Sequence, residues 1–268
     1  MSRVVPQGYE RLDTPHADVV VHQRVAASVR VALESGSLYA WASRQPERRQ
    51  MQGRLPVYAA ALPDGGPRVA VRHAHHGGLL ASLLGDRFLP PTRAPSELAT
   101  SLHLARAGVP TPPVVAYAIY RAGPLLRRAD VMTVELPGQD LAAALTGATT
   151  DAERQALATP VASLLGALTQ AGAWHPDLNV KNILLVPDDA EQLHPAVLDV
   201  DRVRFIPTGA PTVREANIRR LERSLAKWGR AHHAPSLAPF LRDVRERLLQ
   251  DEAVHAAQRA LAMQPYLP

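Results

Sequence analysis

The apolar and polar positions divide the chain into a strand-rich first half and a mostly helical second half. Residues 55–62 form an apolar run that reads as a strand, and residues 68–72 form a second. Between them, Pro63-Asp64-Gly65-Gly66-Pro67 has turn chemistry, so 55–72 is expected to be a hairpin. Gly77-Gly78 breaks the pattern before a short helical stretch over 79–84, and Pro90, Pro91 and Pro95 punctuate a loop. A helix is expected from Ser96 through Glu97, Leu98, Leu102 and Leu104, stopped by Gly108. Residues 114–120 are apolar, and a strand over 131–135 ends at Pro137-Gly138. Helical periodicity then covers 141–145, 151–170, 215–230 and, with breaks, 236–263, interrupted by strands at 183–186 and 196–200. Residues 1–36 show no readable pattern beyond Val19-Val20-Val21, and no repeat is present.

With 268 residues, 46% hydrophobic and 21% charged, the chain can bury one large core or two smaller ones. The expected class is α+β: an N-terminal β-rich part over 1–134 (1–50 unassigned), a Pro-Gly hinge at 135–138, and a helical part over 139–268. No apolar run approaches the ~20 residues of a membrane-spanning helix, and the first residues lack the apolar stretch of a secretory signal. A cytoplasmic location is therefore expected. The chain has no cysteine, which excludes a disulfide framework and a thiolate zinc site.

Charge is distributed unevenly. Residues 1–133 carry 16 Lys+Arg against 9 Asp+Glu, whereas 134–268 carry 14 against 16. Basic surface of this kind attracts phosphates, anionic lipid or nucleic acid. Only 4% of residues are aromatic, too few for base stacking, and no reader motif is present, so nucleic-acid binding is not expected.

The chemistry concentrates in Trp174-His175-Pro176-Asp177-Leu178-Asn179-Val180-Lys181-Asn182, just before an apolar strand, and in Leu198-Asp199-Val200-Asp201 beyond it. Phosphoryl transfer needs a carboxylate to take the acceptor's proton and oxygen ligands to hold Mg²⁺ on the phosphates. Asp177 suits the first role; Asn182 and Asp199 suit the second. Each residue taken alone would equally serve to cap a turn.

Together, H-x-D-x-x-x-x-N followed by D-x-D resembles the catalytic core of the protein-kinase-like fold, with catalytic loop 174–182 and metal-binding segment 199–201. The resemblance implies a bilobal fold, ATP and Mg²⁺ as cofactors, and a phosphate anchor on a strand of the small lobe. No lysine precedes Lys181, so Arg72 is the candidate anchor, with Glu97 on the following helix as its partner. An exposed strand-end arginine and an unpaired surface glutamate are the plainer alternatives. Glu135, at the hinge, is expected to contact adenine through its backbone. Lys181 either supplies charge to the nucleotide or faces solvent. Gln52-Gly53-Arg54 is the only trace of a glycine-rich phosphate loop.

A narrower resemblance follows. Arg72-His73-Ala74-His75-His76-Gly77-Gly78-Leu79 is similar to the R-H-Y-x-R-G-G-L segment of bacterial Kdo kinases, of the lipopolysaccharide kinase family. Leu84-Gly85-Asp86-Arg87-Phe88-Leu89, Ser96-Glu97-Leu98, Gly108-Val109-Pro110-Thr111-Pro112, the W-H-x-D-L-N at 174–179 and the D-x-D-R at 199–202 extend the match over roughly 53–204. It implies transfer of the ATP γ-phosphate to a Kdo hydroxyl on lipid A, at the cytoplasmic face of the inner membrane. It also implies a Kdo–lipid A or related glycolipid acceptor and an anionic membrane surface as partners, with no protein partner. Ala74 and His76 depart from the family's aromatic and arginine, which leaves open a core heptose or another small hydroxyl acceptor. A catalytically inactive binding module is a further alternative, which the presence of Asp177, Asn182 and Asp199 opposes. The histidines at 73, 75 and 76 read as loop residues near an anionic substrate rather than as a metal site.

Overall fold

The computed structural model describes residues 5–51, 55–75, 85–206, 210–234 and 236–263, with only the helical backbone described at 210 and 251–263. The chain divides into two compact units. One comprises Met1–Leu102 and Pro112–Leu136, the other His103–Thr111 and Pro137–Pro268.

The first unit is built on a seven-stranded antiparallel sheet. Its strands are β1 (Tyr9–Leu12), β2 (Ala17–His22), β3 (Arg49–Met51), β4 (Val57–Ala61), β5 (Arg68–His73), β6 (Val114–Arg121) and β7 (Arg127–Val134). Their spatial order is β1-β2-β6-β7-β5-β4-β3. Helices α1 (Ala26–Leu33) and α2 (Leu38–Arg44) belong to the layer on one face, and α3 (Ala94–Arg106) begins in the layer on the other. Because strand side chains alternate between faces, Val19, Val21, Val69, Val71, Ala118 and Met132 join Leu38 and Trp41 in one core. Val20, Tyr117, Ala129 and Val131 join Ala94 and Leu98 in the other.

The hairpin read over 55–72 forms as β4 and β5, with Asp64 and Gly65 at positive φ in its turn (59° and 71°). The unreadable first 36 residues hold β1, β2 and α1, and α2 and β3 follow before residue 55. These elements are three to eight residues long, too short for a period to emerge in sequence, and tertiary pairing fixes them. The helical stretch read over 79–84 lies outside the described residues, as do Gln52-Gly53-Arg54 and His76-Gly77-Gly78.

The second unit packs α4 (Leu141–Gly147), α5 (Asp151–Ala156), α6 (Ala158–Gln170), α7 (Ala210–Ala231) and α8 (Ala238–Met263) around one core. Leu164, Leu165 and Leu168 of α6 are fully buried there; each such side chain contributes about 1.5–3 kcal/mol over its exposed state. Two small sheets complete the unit. One has the order β11 (Leu193–Val197), β10 (Ile183–Pro187), β8 (Gln139–Asp140); the other pairs β9 (Ala173–Trp174) with β12 (Arg204–Phe205).

Three sequence expectations need correction here. The helix read over 151–170 is two helices separated at Leu157. The one read over 236–263 runs unbroken from Ala238. The strand read over 196–200 ends at Val197, and Asp199 sits not at a strand end but in a left-handed turn (φ 57°, ψ 52°) before a single 3₁₀ turn at Val200–Arg202. Alternation alone cannot reveal that reversal, because Val197 and Leu198 remain apolar through it.

Candidate active site

In the second unit, the loop after β9 carries Asp177 and is held from below by α7. Asn217, fully buried, accepts a hydrogen bond from the His175 backbone N–H (3.0 Å) and donates to the Ala173 carbonyl (2.9 Å). Arg220 donates through Nε to the Pro176 carbonyl (2.9 Å) and through Nη2 to Asp177 Oδ1 (2.7 Å). Ser224 accepts from the Val180 N–H (3.1 Å). These three residues recur at helical spacing, so one polar stripe of α7 grips four backbone groups and one carboxylate of the loop. Their signal was present in sequence as polar residues on one face of an otherwise amphipathic helix, and sequence reasoning missed it.

Within the loop, the side-chain amides of Asn179 and Asn182 both donate to the Asp177 carbonyl (3.0 and 2.9 Å). Asn182 Nδ2 is thereby committed, which leaves Oδ1 as its free end for a ligand; this assigns the amide from its hydrogen-bond network. Asp177 Oδ2 has no partner among the described residues.

His175, fully buried, joins this loop to the turn that bears Asp199. Its Nε2 lies 3.0 Å from the Leu198 carbonyl and its Nδ1 3.2 Å from the Asp177 N–H. A carbonyl only accepts and an N–H only donates, so the ring is neutral with its proton on Nε2. Burial, the largest influence, lowers its pKa, in keeping with that state. The Leu198 N–H in turn donates to the Asn182 carbonyl (2.9 Å). Leu198 is thus bonded on both sides, and the backbones of Asn182 and Asp199 are fixed close together.

An amide oxygen and a carboxylate suit Mg²⁺, which is held by one or two protein oxygens together with phosphate oxygens and water. The Asn182 amide oxygen and the Asp199 carboxylate are of the donor types that could hold such a cation; among the described residues no group of three His, Asp or Glu side chains is arranged to hold a metal ion. Lys181 is exposed, its backbone N–H bonded to Asn179 Oδ1 (2.9 Å).

In the first unit, Val69 and Val71 of β5 face α1 and α2, so Arg72 faces α3. There Arg72 Nη2 meets both carboxylate oxygens of Glu97 at 2.7 Å. Glu97 is in the first turn of α3, where the helix dipole favours a carboxylate. Its side chain is 8% exposed against 38% for Arg72. Glu135 is differently engaged. Its carboxylate sits between Arg49 (2.5 Å) and Arg68 (2.7 Å), and its N–H donates to the Arg68 carbonyl. Its backbone carbonyl has no hydrogen-bond partner among the described residues.

His73 points to the opposite face from Arg72. Its Nδ1 bonds Asp130 (2.5 Å) and its Nε2 bonds Asp86 (3.1 Å). Burial alone would lower its pKa, but the two carboxylates together raise it. Asp130 is fully buried and also accepts from the Tyr39 N–H at the start of α2 (2.9 Å). His73 is therefore a structural tie between β5, β7 and α2.

No helix among the described residues is long and apolar enough to cross a membrane. No curated protein matches the chain. A solved structure described as WaaP in complex with acyl carrier protein is similar at 21% identity and a TM-score of 0.47, covering 85% of this chain and 95% of that one. Residues 41–240 match the sequence model of the Lipopolysaccharide kinase (Kdo/WaaP) family. That match spans both Arg72–Glu97 and the Asp177 loop; the chain belongs to the lipopolysaccharide kinase family, whose members are phosphotransferases acting on a sugar hydroxyl.

Proposed function

We propose that the protein is an ATP- and Mg²⁺-dependent kinase that phosphorylates a Kdo hydroxyl on lipid A. The observation that carries this reading is the preorganised Asp177: one carboxylate oxygen is held by Arg220, and the other is left to accept a proton. Asp177 takes the proton of the acceptor hydroxyl as that oxygen attacks the γ-phosphorus of ATP, while the bond from the γ-phosphorus to the β,γ-bridging oxygen breaks and ADP leaves. Asn182 and Asp199 would hold Mg²⁺, which would supply neutralisation of charge on the phosphates. Arg72, steadied by Glu97, directs its guanidinium charge toward phosphate oxygens. The backbone carbonyl of Glu135 faces adenine, and Lys181 is left to solvent.

The acceptor reading rests on family motifs and on the position two residues after Asp177. Protein kinases usually have a lysine there, and this chain has Asn179, whose amide is spent on the loop itself. A core heptose is the second reading, favoured by Ala74 in place of the family's aromatic residue. The basic first half supports peripheral work at the cytoplasmic face of the inner membrane.

The test is mass spectrometry of Kdo–lipid A, and of a heptose-bearing core acceptor, after incubation with protein, ATP and Mg²⁺. A gain of one phosphate on Kdo–lipid A supports the proposal. A gain on the heptose acceptor alone replaces it with the second reading. Nucleotide binding with no phosphate on either glycolipid would overturn both.

A further inference from the structure

A cavity of about 490 Å³ opens at the end of the first unit's sheet, at the tips of the β1–β2 and β6–β7 hairpins and the 90–92 loop. We propose that it binds a sugar phosphomonoester. Arg72 is level with Val131 in the sheet, whereas this cavity lies at Arg127, four residues along β7 and about 13 Å away at ~3.3 Å per residue. It is therefore separate from the Arg72–Glu97 pair.

Three observations point to an anion. First, Arg121 and Arg127 line the cavity and are directly opposite in the β6–β7 register. Like charges so paired repel, and a shared counter-ion relieves the repulsion. Second, the lining balances three arginines against one acid. Arg11 is already bound to Asp18 (2.6 Å), which leaves Arg121 and Arg127 as the pair of lining arginines with no carboxylate partner among the described residues. Two positive charges match a phosphomonoester, which carries close to two negative charges at neutral pH. Third, Thr92 lines the cavity, is 8% exposed, and its hydroxyl has no hydrogen-bond partner among the described residues. Buried hydroxyls are nearly always paired, and a phosphate or sugar oxygen supplies what this one lacks.

The sugar half of the ligand follows from the other walls. Ile119 and the rings of Pro90 and Pro91 give flat apolar surface, suited to the C–H face of a pyranose. The volume also falls in the range of small-molecule sites. Arg127 spends one N–H on the Leu126 carbonyl (2.8 Å), which sets the guanidinium plane and leaves its other donors for the ligand.

Calorimetric titration with glucose 1-phosphate, glucose, inorganic phosphate, and vesicles of phosphatidylcholine with or without phosphatidic acid tests the proposal. Glucose 1-phosphate should bind saturably and more tightly than inorganic phosphate, and glucose should not bind. Arg121→Ala, at an exposed position, and the near-isosteric Thr92→Val should each weaken binding about tenfold, the loss of one charge-assisted or buried hydrogen bond. Thermal unfolding of the variants checks that they remain folded. Equal binding of glucose, parental affinity in both variants, or no saturable binding of glucose 1-phosphate would overturn the assignment. Binding confined to phosphatidic acid vesicles would also overturn it, since this face would then read a lipid surface rather than a sugar phosphate.

Discussion

Asp177 combines a fixed carboxylate oxygen with an open one, and the two can be separated by mutation. Asp177→Asn keeps the shape and removes the proposed base, so turnover should fall on the order of 10²–10⁴-fold with little change in nucleotide affinity. Arg220→Gln leaves the base but frees its orientation. A smaller fall in kcat, about tenfold, with an unchanged KM for ATP is expected. Steady-state kinetics checks both, and a parental kcat in Asp177→Asn would remove this residue from the chemistry. The buried His175 and the half-buried His73 should titrate on opposite sides of the ordinary value of 6.5. His175, lowered by burial, binds fewer protons folded than unfolded, so its share of stability is complete above pH 6.5 and lost as pH falls toward its folded pKa. His73, raised by Asp130 and Asp86, contributes fully below pH 6.5 and loses that share as pH rises through its folded pKa. NMR titration of the ring C–H signals reads the two pKa values directly, and a His175 that titrates above His73 would contradict the assigned tautomer and pairing.

Elements place these residues, and one glycine shows how narrowly. A Cβ on Gly138 would lie 2.4 Å from the Leu185 carbonyl oxygen of β10, with two further backbone atoms near 3.1–3.2 Å. The neighbours are backbone in a paired strand and cannot turn aside. Gly138→Ala should therefore cost about 1–3 kcal/mol, measurable by urea unfolding; an unchanged midpoint would mean that β8 can move without loss. Elements with strong local chemistry were legible in sequence. The β4–β5 hairpin announces its turn, and α3 ends where Gly108 permits positive φ (74°), closed by Val109 N–H to the Leu104 carbonyl. Elements whose signal is tertiary were not. β1 has four residues, β3 has three, and β2 buries Val19, Val20 and Val21 on two faces, so none shows a clean alternation.

Across the whole molecule, the surplus of cations in residues 1–133 is smaller in effect than in count. Arg49 and Arg68 are drawn to Glu135, Arg72 to Glu97, Arg11 to Asp18 and Arg128 to Asp86. Arg48 is exposed, donates to the Gln45 carbonyl and lies over the Tyr58 ring (5.9 Å). If this half meets an anionic membrane as proposed, each arginine near the surface contributes roughly 1 kcal/mol. Sedimentation should then show binding to anionic vesicles that weakens steeply with salt, and Arg48→Glu should reduce it about fivefold to tenfold. Equal binding to neutral vesicles would rule out charge as the means of attachment.

By itself the sequence determined the class of the chain, the hairpin and the main helices, and it proposed the ordered set of Arg72, Glu97, Asp177, Asn182 and Asp199. These depend on local turn chemistry, periodicity and motif order, which a linear string preserves. Only the tertiary structure decided that Glu97 reaches Arg72, that Glu135 is taken by Arg49 and Arg68, and that Asp199 turns left-handed. It alone revealed Asn217, Arg220 and Ser224 as the support of a loop some forty residues away, and the cavity at Arg121, Arg127 and Thr92. Such contacts join residues distant in the chain, and their strength comes from burial and hydrogen-bond geometry that exist only once the chain has folded.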